Sequence, residues 1–168
     1  KEIDRVDWPE RNDRYGNLIR QNRNQMGIAY LDGKTPCILA ARGTYKLMVV
    51  DAWQLKEGKL QRMWRWDGDE ENPVVRSMGA HSMVTGDVDG DGRDEILLRS
   101  CMLDDNGTLL WSSGLGHSDK AYLCKLRPDE EDLQVFMVSE PKKEDGRGVS
   151  VVNARTCLLY TSPSPRDR

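Results

Sequence analysis

Between Gly86 and Ile96 the chain reads GDVDGDGRDEI, and Asp87, Asp89, Asp91, Asp94 and Glu95 crowd into that span just before the apolar Ile96-Leu97-Leu98. Carboxylates packed this closely repel one another unless a cation sits among them. Asp87, Asp89 and Asp91 alternate, Gly90 and Gly92 permit a tight wrap, and Glu95 closes the run. Calcium suits such a loop, because it takes roughly six to eight oxygen ligands in a flexible arrangement. The predicted ligands are the side chains of Asp87, Asp89, Asp91 and Glu95 and the main-chain carbonyl of Arg93, with Asp94 turned away. An EF-hand would need a bidentate Glu at the position of Leu98 and a helix before the loop, and neither is present. Magnesium fits less well, since it keeps its waters. The plainer alternative is an acidic turn without metal. An ion here is expected to staple neighbouring strands rather than to touch a substrate.

The chain's two histidines are the other residues suited to chemistry. His81-Ser82 opens one segment and His117-Ser118 opens another 36 residues later. Imidazole titrates near neutrality, which suits a base or a metal ligand; the plainer alternative is a histidine hydrogen-bonded between structural repeats. The two segments also provide an internal comparison. Where the first reads Asp87-Val88-Asp89, the second reads Lys125-Leu126-Arg127, followed by Asp129, Glu130, Glu131 and Asp132. Cations in place of carboxylates repel calcium, so no ion is expected there, and Arg127 is expected to pair with one of the acids that follow.

The elements that position these residues are short and β-rich. Gly27 to Leu31 runs to an Asp32-Gly33 turn, and Pro36 precedes Cys37 to Ala41. Leu47 to Trp53 returns through Leu60, Met63, Trp64 and Trp66 after Lys56-Glu57-Gly58-Lys59, a hairpin signal. A second hairpin is predicted at Asp105-Asn106-Gly107, between Leu98–Leu103 and Thr108–Trp111, because Asn-Gly supplies the positive φ of a tight turn. Residues 10–26 read as a polar loop, and no segment has sustained helical periodicity. Similar hairpin units recurring at a few tens of residues predict an all-β fold with β-propeller blades; a β-sandwich is the alternative.

Composition narrows the function classes. With 25 Lys+Arg against 28 Asp+Glu, the net charge of −3 gives no electrostatic case for nucleic acid or anionic lipid. No apolar run is long enough to span a membrane. The chain opens on Lys1, so an amino-terminal truncation is expected. Residues 157–168 (CLLYTSPSPRDR) back-translate to a string resembling a transposon-end sequencing adaptor; they are treated as non-native, leaving 1–156 as the domain. Of the four cysteines, Cys157 goes with that tail. Cys37, Cys101 and Cys124 show no C-x-x-C spacing, and Cys37 and Cys101 read as small buried hydrophobes.

An ordered set of motifs then carries a resemblance. DRYGN at 13–17, AYLDGKTP followed by ARGTY, GDVDGDGRDEI, the DDNG turn with Trp111, SGLGHSD and LQVFMVSE at 133–140 together resemble the rhamnogalacturonan lyases of polysaccharide lyase family eleven. The resemblance implies an eight-bladed, calcium-rich β-propeller, of which this chain would hold roughly three blades at about 40 to 50 residues each. It implies β-elimination in the rhamnogalacturonan I backbone of pectin by a secreted or cell-surface protein, monomeric when full length. Carried over residue by residue, it nominates His81, His117 and Asp119 as catalytic; Arg42 in ARGTY is read separately, as a group to meet a sugar carboxylate or, equally, to form a salt bridge with the acidic loops. Ser118 stands where relatives often have glycine, and Lys125 and Arg127 remove one expected calcium. The isolated chain is expected to be inactive. The competing reading is a non-catalytic, calcium-stapled propeller, with an integrin-like loop, that binds glycans or proteins.

Overall fold

A computed structural model describes residues 1–71, 75–79, 81–139 and 148–160. Among them the chain is all-β: three antiparallel sheets follow one another along the sequence. The first is a meander of β1 (Asn24–Ala29), β2 (Cys37–Arg42), β3 (Val49–Lys56) and β4 (Lys59–Asp67). The second runs β5 (Val84–Gly86), β6 (Glu95–Leu97), β7 (Cys101–Leu103) and β8 (Leu109–Ser112). The third contains β9 (Ser118–Cys124), β10 (Gln134–Ser139) and β11 (Val149–Asn153). Among the described residues, helix is limited to short turns, which include the α turn Gly68–Glu71 and the 3-10 turns Asp13–Tyr15 and Ile19–Asn22.

Two apolar cores fix the stacking. Cys37, Leu39, Ala41, Val50, Ala52 and Trp66 of the first sheet meet Ile96, Cys101 and Leu103 of the second. Leu97, Met102 and Trp111 of the second meet Ala121, Val135, Met137 and Val152 of the third. Successive strand residues point to opposite faces, so Ile96 and Leu97 enter different cores. That is why the middle strands carry unbroken apolar runs: both faces of that sheet are covered, and each buried aliphatic side chain contributes roughly 1.5–3 kcal/mol. Three stacked layers also differ from the two sheets of a sandwich.

Several local expectations are met. The hairpin turns lie at Glu57-Gly58, where β3 and β4 pair, and at Asp104–Thr108 between β7 and β8. Cys37 and Cys101 are free and fully buried. Two differences stand out. The polar segment before Gly27 is partly ordered: β1 begins at Asn24, paired with Arg42. The run Leu98–Leu103 is not one strand. Leu98 N–H donates to the Cys101 carbonyl at 2.9 Å, closing a tight turn through Arg99 at φ 77° and separating β6 from β7. Neither Gly nor Asn marks this turn. Arg99 accepts the left-handed backbone because its buried side chain is anchored by acceptors at Ser82 and Asp119. Residues 161–168 of the excluded tail, Glu140 at the end of LQVFMVSE, and residues 142–147 lie outside the described residues. Cys157 to Tyr160 are described, and Leu159 bridges to Val152.

Candidate active site and cation loop

The histidines sit at equivalent places, His81 ahead of β5 and His117 ahead of β9, and the stacking of those two sheets brings them together. Their Nε2 atoms are 3.2 Å apart. Asp119, the second residue of β9, places Oδ1 3.8 Å from His81 Nε2 and 3.6 Å from His117 Nε2. The Tyr45 hydroxyl lies 3.3 Å from His81 Nε2, and its ring is 4.6 Å from that of His117. His117 is nearly buried while Asp119 is half exposed, so the cluster opens to solvent on the aspartate side.

The hydrogen bonds assign the neutral tautomers. Arg23 Nη1 can only donate, so His81 Nδ1 accepts from it and His81 carries its proton on Nε2. His117 Nδ1 is 2.5 Å from the Gly79 carbonyl, an acceptor, so that nitrogen carries the proton and His117 Nε2 presents a lone pair. The His81 pKa is lowered from its ordinary value, first by burial and then by the charges of Arg23 and His117. His81 Nε2–H and the His117 Nε2 lone pair therefore face each other across 3.2 Å as a donor and an acceptor paired with one another. The same three residues place one ligand atom each within 4.8 Å of one another, the spacing of a three-donor metal set.

Arg99 holds the cluster from beneath. It is 2% exposed, and its Nε donates to the Ser82 carbonyl at 3.0 Å. Its other nitrogens donate to the Asp119 carbonyl and the Ser82 hydroxyl. One guanidinium thus joins the turn after His81 to the strand bearing Asp119. Arg42 has a different setting: Nε donates to the Pro9 carbonyl at 2.5 Å and Nη1 to that of Asn22 at 3.1 Å. ARGTY reaches the histidines through Tyr45. Tyr45, Arg23 and Arg99 were not singled out from the sequence. Their contacts are long-range, and the one available signal was Tyr45 inside a motif already recognised.

The acidic loop joins β5 to β6 at the opposite end of β5 from His81. Asp87, Asp89 and Glu95 place one carboxylate oxygen each within 4.8 Å of the others. The loop wraps on its own carboxylates: Asp87 accepts from Gly90 N–H at 2.7 Å and Gly92 N–H at 2.9 Å, and Glu95 accepts from Val88 N–H at 2.8 Å. Gly90 and Gly92 have φ near +83° and +86°, conformations that only glycine adopts without strain. Asp91 is turned to Arg93 N–H at 2.8 Å, and the Arg93 side chain reaches Asp105 at 3.0 Å. Asp94 leaves the loop altogether and accepts from Tyr30 N–H at 2.8 Å.

Glu95 tests the fit of a cation. Its carboxyl is 2% exposed and is pushed up to about 7, first by burial, with the charges of Asp89, Asp91 and Asp104 adding to the effect. Asp104 and Asp105 form a second acidic set around it. A buried carboxylate flanked by further carboxylates is the arrangement a hard divalent ion relieves. Asp87, Asp89 and Glu95 would hold it, and it would supply charge neutralisation to the loop.

Comparisons with known proteins centre on one family. The profile described as rhamnogalacturonan lyase family 11, C-terminal domain, matches residues 2–167. The chain is 40% identical over 135 residues to the rhamnogalacturonan exolyase YesX of Bacillus subtilis, covering 80% of this chain and 21% of that protein. It is 39% identical over 137 residues to the endolyase YesW of the same organism, covering 81% and 21%. The chain therefore spans about a fifth of these relatives' length. The crystal structure of YesW superposes with a TM-score of 0.84 at 34% identity, over 90% of this chain and 26% of that one. The Bacillus licheniformis rhamnogalacturonan lyase PL11 gives 0.83 at 35%, over 89% and 26%.

Proposed function

The chain belongs to rhamnogalacturonan lyase family 11 through its C-terminal domain, and from that premise we propose that it is part of a calcium-dependent lyase that cuts the rhamnogalacturonan I backbone of pectin by β-elimination. The observation that carries the reading is the convergence of His81, His117 and Asp119 on one open rim between two sheets.

Elimination takes the proton from the carbon that bears the uronate carboxylate and expels the glycosidic oxygen from the adjacent carbon, leaving a carbon–carbon double bond between the two. The proton is weakly acidic until the carboxylate's charge is offset. His117 Nε2, with its lone pair, is the proposed base. His81 Nε2–H, held in that tautomer by Arg23, is the proposed donor to the leaving oxygen. Asp119 orients the pair, and the exposed Arg23 offers positive charge to the uronate. The main-chain contacts of Arg42 support a structural task for that residue rather than the sugar contact.

The three stacked meanders support a segment of a β-propeller. Met26, Ile28 and Ile38 on the outer face of the first sheet are 69%, 60% and 41% exposed, an apolar surface that a preceding blade would cover. Calcium in the Asp87–Glu95 loop is proposed as a staple, consistent with its place at the far end of β5. A secreted or cell-surface location and a monomeric parent complete the reading. The chain on its own, with open sheet faces, is proposed to be inactive.

The test is ultraviolet absorbance of unsaturated uronide products from rhamnogalacturonan I, measured on the parent protein. His81→Ala and His117→Ala, singly and together, are expected to abolish the signal while leaving the thermal transition in place. Full turnover in the double variant would remove these residues from the mechanism. Tight sugar binding without any turnover in the unaltered parent would favour a non-catalytic propeller.

A further inference from the structure

The loops leaving β5 and β9 occupy the same position in their sheets. Gly86 pairs with Glu95 across β5 and β6, and Cys124 pairs with Gln134 across β9 and β10. Asp87 and Lys125 are thus the first residues out of their strands, Asp89 and Arg127 the third, and Glu95 and Gln134 the closing ones. Each of these acidic positions of the first loop is a cation or a neutral amide in the second.

The second loop is nevertheless closed around a charge. Lys125 Nζ donates to the Glu130 carbonyl, to that of Glu131 at 2.7 Å and to that of Asp132 at 3.4 Å. Gln134 is fully buried, and its Oε1 accepts from Leu126 N–H at 2.8 Å and Arg127 N–H at 2.9 Å. Glu95 does the same for Val88, the counterpart of Leu126. Gln134 Nε2 donates to the Asp132 carbonyl at 2.6 Å. Arg127 holds Asp129 at 2.9 Å and Glu130 at 2.8 Å. An ammonium among three carbonyl oxygens presents a positive centre to inward-facing oxygens, as a hard metal ion does, with three donors in place of coordination bonds.

We propose that Lys125 is the permanent cation of the 125–134 loop: a tethered ammonium that takes the place of a divalent ion, keeps the loop folded without metal and excludes metal from it. The substitution is coherent as a set. Over 87–95 there are five carboxylates and one cation, and over 125–134 four and two, so the net charge falls from −4 to −2 while the group at the loop's centre faces neutral carbonyls; an amide in place of a buried carboxylate keeps the backbone contacts without adding a buried charge. The consequence is local. The strand that carries Asp119 and follows His117 is anchored at its far end by a cation that cannot dissociate, whereas the strand that follows His81 ends in a loop built for an exchangeable one.

Hydrogen exchange on the full chain, with calcium or with a chelator, tests this. Exchange across 125–134 is expected to be the same in both. Lys125→Met, which keeps the stem and removes the charge, is expected to speed exchange of the Leu126 and Arg127 amides about tenfold or more in both, with β6 and β7 amides unchanged. Slower exchange of 125–134 on adding calcium to the unaltered chain would overturn the proposal, as would unchanged exchange in Lys125→Met. If Lys125→Met does not fold, the triple variant K125D/R127D/Q134E decides. Folding dependent on calcium supports the cation's place, whereas equal behaviour with and without calcium overturns it. A calcium-insensitive 87–95 loop would sink the metal reading of that loop and leave Lys125 untouched.

Discussion

Replacing Glu95 by glutamine separates a cation-binding loop from an acidic turn more sharply than removing any exposed aspartate. Glu95 is buried, and its carboxyl is raised from an ordinary 4.5 to about 7. At about 1.4 kcal/mol per pH unit, keeping it ionised in the ion-free fold costs roughly 3 kcal/mol. The folded pKa lies above the unfolded one, so between those two values the folded chain binds more protons than the unfolded chain. Stability without metal therefore falls as pH rises through that window, and the loss is complete above about 7. A glutamine side chain in that place carries no charge to bury, and Gln134 shows that an amide fits the equivalent position and satisfies the loop's N–H groups.

In chelator above the folded pKa, Glu95→Gln is thus expected to be more stable than the unaltered chain by up to roughly 3 kcal/mol, or about 6–12 °C in Tm for a chain of this size. Below the ordinary carboxylate range the two should converge. Saturating calcium should reverse the order, because the unaltered loop gains binding energy and the variant has lost a ligand. The assay is thermal unfolding followed by circular dichroism, across pH, with calcium and with chelator. A variant destabilised in chelator at alkaline pH, or an unaltered chain indifferent to calcium, would refute the reasoning.

Three further outcomes are expected. Arg65→Ala should lower stability by roughly 1–3 kcal/mol in denaturant titration, because the fully buried Asp51 loses the two 2.6 Å hydrogen bonds from Arg65 and keeps Arg62 at 3.9 Å. Arg99→Gln should cost roughly 1–3 kcal/mol by leaving buried acceptors at Ser82 and Asp119 without a donor, and it should change the His81 and His117 ring signals in NMR spectra, whereas Arg65→Ala should not. Gly33→Ala should weaken calcium binding by the 87–95 loop in calorimetric titration. Gly33 has φ near +70°, and a Cβ there would lie 2.5 Å from the Gly92 carbonyl, inside the loop.

How far the sequence disclosed this molecule depended on the range of the interaction concerned. Turns with a local signature were legible: Glu57-Gly58 and Asn106-Gly107 call for positive φ, and glycine announces it. The Arg99 turn was not, because its left-handed backbone is supported by acceptors at Ser82 and Asp119, remote in sequence and adjacent only once two sheets stack. The same distinction runs through the two loops. Asp87, Asp89 and Glu95 lie within nine residues, so the convergence of their carboxylates could be read from spacing, and Asp94's departure from them followed the same alternation. Replacement of a carboxylate by Lys125 was equally visible, but spacing could not say where its ammonium would go. It reaches the carbonyls of Glu130, Glu131 and Asp132, groups that every residue possesses and no side-chain pattern reveals. Arg127 does pair with Asp129 and Glu130, yet those ion pairs lie on the exposed surface, where such contacts contribute little. The cation that closes the loop is therefore the one bound to backbone, and a loop without the acidic residues of its counterpart at 87–95 still presents backbone carbonyls to a positive charge.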